Sequence, residues 1–142
     1  MRNIKQGTAA TLGALALVVS GAALAADRAV TPSDTPRYDA RAEYAVKGKV
    51  AAVKIHDSVL GYKDAHIILT TVQGDMEVHV GPVAYLAKRG FEVVPGDEVL
   101  VIGCKTMYED KPVLVARQIK RGDRSLTLRN VRGNPVWPKR IT

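Results

Sequence analysis

A single cysteine, Cys104, stands in a chain of 142 residues, so no internal disulfide can brace the fold. Aromatic residues are also scarce: one Trp, one Phe and five Tyr. A closed core must therefore come mainly from Val, Ile, Leu and Ala. The longest apolar run, Leu12 to Val19, is shorter than the roughly 20 residues a spanning helix needs, so an integral membrane protein is not expected. Internal repeats and low-complexity tracts are absent. Catalytic signatures are missing as well: there is no nucleophile elbow, HExxH, phosphate loop or pair of carboxylates flanking a cleft. His56, Asp57 and Ser58 are neighbours on a loop, whereas hydrolytic triads are assembled across a fold. No enzyme is expected.

What is present begins with an export signal. Arg2 and Lys5 precede any acidic residue, the apolar run follows, and Ala23-Leu24-Ala25 offers a small-residue cleavage site. Residues 1–25 read as a signal peptide and residues 26–42, with Pro32 and Pro36, as a flexible leader. The mature chain is expected in the periplasm or outside the cell, as one small domain.

Charge divides the mature chain. Residues 26–116 hold eleven Lys/Arg against thirteen Asp/Glu, whereas residues 117–142 hold eight against Asp123 alone. The segment 121–142 reads as a basic extension. Arg121, Arg124, Arg129 and Arg132 are its candidate anion-binding residues, suited to nucleic acid, another polyanion or an acidic protein.

Between these ends the pattern is strand-rich. A first strand runs from about Glu43 to Ile55, with alternation slipping near Ala51-Ala52 as a bulge would cause. Gly48 within it marks a bend or a close backbone approach. Strands at about 65–71 and 75–80 are joined by a turn at Gln73-Gly74. A short helix spans Gly81 to Gly90, with Pro82 in its first turn, Gly90 as its left-handed cap, and Val83, Leu86 and Ala87 as its apolar stripe. Strands at about 98–107 and 112–119 follow, with a possible sixth at 125–128. Cys104 shares parity with Leu100 and Ile102 and reads as a small buried hydrophobe.

Three strands, one helix and two or three further strands give an all-β, five- to six-stranded OB-like barrel over residues 43–120. From Tyr44 to Ile119 the chain resembles small exported bacterial OB-fold proteins. Val46-Lys47-Gly48-Lys49-Val50, Gly81-Pro82 and Val94-Pro95-Gly96-Asp97-Glu98-Val99 with Gly103 carry that resemblance. The closing Leu128-Arg129-Asn130 with Gly133-Asn134-Pro135-Val136-Trp137 looks like a tail seen in uncharacterised exported proteins of this kind. The resemblance implies a barrel and a binding role, without specifying a ligand.

OB folds bind along a groove bordered by the loops after the first and fourth strands. Tyr62 and Tyr108 occupy those loops, with Lys63, Lys105 and Lys111 nearby, and form the candidate rim for an envelope protein partner or an extended saccharide or anionic ligand. Strands two and three carry no aromatic, which disfavours stacking of nucleic-acid bases on that face. Trp137 is expected to dock the tail onto the barrel. No cofactor is expected, with one alternative. His66 and His79, placed diagonally at roughly 7–8 Å between Cα atoms, could share a divalent copper or zinc ion. His56, Met107 or Glu77 would then complete the set, and the chain would be a metal-handling or redox-accessory protein.

Overall fold

β1 (Glu43–Asp57) is long because it serves two neighbours: its first half pairs with β4 (Glu98–Tyr108) and its second with β2 (Lys63–Thr71). The computed structural model describes residues 37–139, all within the unit Ser33–Thr142. The signal-like segment and most of the leader lie outside the described residues. The register of β1 against β2 shifts between Val50 and Ala52, the bulge that the slipping alternation predicts. At Gly48 a Cβ would lie 2.5 Å from the Thr70 carbonyl oxygen, so only glycine allows the two chains to cross this closely.

β2 and β3 (Gly74–Pro82) form a hairpin whose turn residues are Val72 and Gln73. The expected turn at Gln73-Gly74 is one residue too late. Pairing consequently moves by two residues, which preserves every face but changes every partner. Gly81 and Pro82 belong to β3, so the helix α1 (Val83–Lys88) is shorter than expected. Pro82 is its extended N-cap residue and lies outside the first turn. Gly90 does adopt φ +62. The buried residue of α1 is Tyr85, whose hydroxyl donates to the Thr127 carbonyl at 3.1 Å, whereas Ala87 is exposed.

β5 (Lys111–Arg121) and β6 (Arg124–Thr127) complete the sheet in the order β3-β2-β1-β4-β5-β6. A parallel pairing of Val78 with Leu114 and His79 with Val115 joins β3 to β5 and closes five strands into a ring. With one helix between β3 and β4, this is the OB-type barrel. Closure leaves few free edges and lets a small domain bury Ile67, Leu69, Val78, Val80, Val99, Val101, Leu114 and Ile119 together. Among the described residues, no helix is long and apolar enough to cross a membrane.

Both flanking segments pack on the barrel. Cys104 is buried, but its cover is the N-terminal segment: its sulfur accepts the Asp39 N–H at 3.3 Å. The parity argument fails because Val99 and Val101 face the core and a register shift follows at Ile102/Gly103. The basic segment packs on the barrel over its described length. Leu128 and Trp137 join the core, the N–H groups of Leu128 and Arg129 donate to the Arg117 carbonyl, and Val136 N–H donates to Leu128. Trp137 docks the tail, as expected.

Candidate functional site

The β1–β2 loop, the β4–β5 turn and the docked tail enclose a cavity of about 580 Å³, a volume typical of small ligand sites. Tyr62, in the β1–β2 loop, and Tyr108, which is the last residue of β4 and not part of the turn expected to hold it, both line it. The three rim lysines do not. Lys63 is exposed and paired with Asp57 at 2.7 Å, and Lys105 and Lys111 are exposed on β4 and β5. Cationic groups come instead from the tail, as Arg129 and Lys139, beside Asn134, Pro135 and Trp137. Composition alone does not place these tail residues in the cavity wall.

Three ionisable groups form the buried wall: Asp64 at the start of β2, His79 on β3 and Arg129 on the tail. Burial pushes the Asp64 carboxyl up to about 6, against the opposing pull of Arg129 and His56. Burial drives His79 down to about 3, helped by the positive fields of His66, Arg129 and His56, so its imidazole is neutral near pH 7. Burial also lowers Arg129 to about 10, with Asp64 opposing, and it remains a cation. Arg129 donates to the Ala116 carbonyl and lies over the Trp137 ring at 5.1 Å.

Two buried atoms of this wall have no hydrogen-bond partner among the described residues: Asp64 Oδ1 and His79 Nδ1. Asp64 Oδ2 and His79 Nε2 are 3.6 Å apart, too far for a hydrogen bond. Polar groups buried in this way cost about 1–3 kcal/mol each unless water or another polar group answers them.

Behind His79 lies a stack of histidines. His56, His66 and His79 come from adjacent strands, with ring centroids 4.5 Å and 4.4 Å apart in sequence. His66 and His79 are direct cross-strand partners, not diagonal neighbours, because the hairpin register differs and shifts again between Ala65 and His66. The expected His66–His79 metal pair is also redirected. The donor atoms that converge belong to His56, His66 and Glu77, all within 4.8 Å of one another. Glu77 Oε1 lies 2.9 Å from His66 Nδ1 and 3.9 Å from His56 Nε2. Burial lowers the His66 imidazole, and its bond to Glu77 opposes that. His79 turns instead toward Asp64 and the cavity, and Met107 is exposed outside the converging group.

The four candidate anion-binding arginines occupy different settings. Arg121 pairs with Asp97 at 3.3 Å and lies over Phe91. Arg124 is exposed near Arg89 and Tyr85, and Arg132 is exposed on the tail turn. Arg129 is buried and so is not a surface contact for a polyanion. A second cavity of about 550 Å³ lies beside α1 among Val53, Ile55, Val83, Leu86 and Phe91, with Glu92 its only charged lining residue. It lacks the convergent polar groups that orient a ligand.

The barrel is similar to two solved structures. One is a single-stranded DNA-binding protein from Thermus aquaticus: 20% identity, 58% of this chain, 40% of that chain, TM-score 0.47. The other is the N-terminal domain of PriB protein from Thermoanaerobacter tencongensis: 19% identity, 57% of this chain, 96% of that one, TM-score 0.45. This chain thus spans less than half the length of the first. At these identities the likeness concerns fold alone. No curated protein matches the chain. A family model does: that of the MamS/MamX magnetosome protein family matches residues 43–126, from the start of β1 into β6, and the chain belongs to that family.

Proposed function

We propose that this chain is an exported, non-enzymatic accessory protein of the magnetosome system. It acts as a binding module that takes a segment of a partner protein into the cavity edged by Tyr62 and Tyr108. The observation that carries the reading is the cavity wall. Two loops that border the OB groove and a docked tail bring aromatic rims together over a buried carboxylate, a neutral imidazole and an arginine. The family supplies the setting, and the N-terminal signal supports export.

The chemistry favours a polar, uncharged or mixed-charge segment. Asp64 Oδ1 can accept and His79 Nδ1 can accept or donate according to tautomer, while the Arg129 charge already faces Asp64. A partner group with a matching donor or acceptor can answer those atoms. Polyanion binding through the tail is less well supported, since Arg129 is buried and Arg121 is paired.

The test compares the wild-type chain with the Tyr62→Ala/Tyr108→Ala double variant for capture of envelope proteins from the source cells. A partner held at high salt by the wild type and lost by the double variant supports the groove. Equal capture by both places recognition elsewhere.

A further inference from the structure

We propose that His56, His66 and Glu77 form a binding site for a single divalent transition-metal ion of the zinc class, on the outer side of the histidine stack. The chain contains three histidines, and all three lie in this one stack although they are spread over three strands. Two imidazole nitrogens and one carboxylate oxygen come within 4.8 Å of one another. Zinc bonds of about 2.0–2.2 Å place tetrahedral donors roughly 3.3 Å apart. The observed 2.9 Å and 3.9 Å contacts to Glu77 Oε1 straddle that spacing. The His56 and His66 nitrogens lie within 4.8 Å of each other, so closing the set needs the exposed His56 ring to move inward by at most about 1.5 Å.

The donor types choose the metal. Calcium and magnesium take oxygen ligands, whereas imidazole with one carboxylate suits Zn²⁺, Cu²⁺, Ni²⁺ or Fe²⁺. Three protein ligands leave at least one coordination position open. His66 is the buried anchor, held in place by the His79 ring behind it, and His56 is exposed, so the ion can exchange with solvent. Glu109, in the β4–β5 turn, adds a negative field at His66, and Lys54 is the opposing cation near Glu77. The site adjoins the cavity, since the Tyr108 ring lies 6.3 Å from the His66 ring and 5.9 Å from the His79 ring, but none of the three ligands lines that cavity.

The test is calorimetric titration of the full chain, produced without a histidine tag, with ZnCl₂. Co²⁺ absorption serves as a second readout of coordination geometry. The expected result is one Zn²⁺ per chain, with affinity at least about tenfold weaker in His56→Ala and in Glu77→Gln. Both substitutions lie at exposed or half-buried positions, and circular dichroism checks that the metal-free variants fold. Lys120→Ala, at an exposed position on β5 outside both sites, should leave the titration unchanged. Absence of saturable binding in the wild type, or unchanged affinity in either ligand variant, overturns the three-ligand site.

Discussion

Replacing Trp137 with alanine tests whether the tail is a wall of the domain. The indole is 9% exposed, packs on Gly81, and lies 5.9 Å from Tyr85 and 5.1 Å from Arg129. Truncating a buried Trp costs about 3–5 kcal/mol. The tail is tethered only after β6 and can peel away instead of leaving a sealed void, which sets the lower end, about 3 kcal/mol. In a domain of about 100 residues each kcal/mol moves the melting temperature by about 4–8 °C, so the expected drop is roughly 12–24 °C. Circular dichroism reads it, since the variant contains no Trp. Trypsin gives a second readout: Arg129 is buried in the wild type and should become a fast cleavage site in the variant. A loss under about 0.5 kcal/mol, the range of neutral surface substitutions, with Arg129 cleaved at the wild-type rate, would refute the docked tail.

Gly103→Ala should be severely destabilising, by about 3 kcal/mol or more, because its Cβ would sit 2.1 Å from the Val115 carbonyl oxygen and backbone cannot yield cheaply. Urea unfolding checks it. Glu43 accepts two bonds from Arg117 at 2.7 Å and 2.8 Å and one from Tyr38. The Arg117 bond, opposed by burial, holds its carboxyl below the ordinary 4.5. A depressed carboxylate stabilises the fold above its ordinary value and loses that contribution as pH falls below it. The stability-versus-pH curve between pH 5 and 3 should therefore be flatter in Glu43→Gln than in the wild type. Cys104 is 1% exposed, so a thiol reagent should modify it only as fast as the domain unfolds. Rapid labelling of the native protein would contradict its placement beneath Asp39.

The barrel was legible because its signals are local: a bulge at Ala51-Ala52, a crossing glycine at 48, a cap at Gly90 and turns at fixed places. The hairpin register was not, since Val72-Gln73 and Gln73-Gly74 are both plausible two-residue turns and only the closed barrel chooses between them. That choice decided whether His66 and His79 meet directly or diagonally. Tyr62 was placed in its loop by the sequence pattern, whereas Tyr108 ends β4, one residue beyond the strand expected there. In the tail, the docking of Trp137 and a strand ending near Leu128 were readable, whereas the burial of Arg129 was not. Arg129 between them carries the same letter whether it is solvated or buried under an indole, and no sequence pattern distinguishes the two.

The central claim, that the Tyr62–Tyr108 cavity receives a partner segment, is tested most directly by site-specific photo-crosslinking in the source cells. A benzophenone side chain would replace Tyr62, Tyr108 or, as a control outside the cavity, the exposed Lys120. The account predicts one shared adduct from positions 62 and 108 and none from 120. The same adduct from all three positions, or none from 62 and 108, would contradict it.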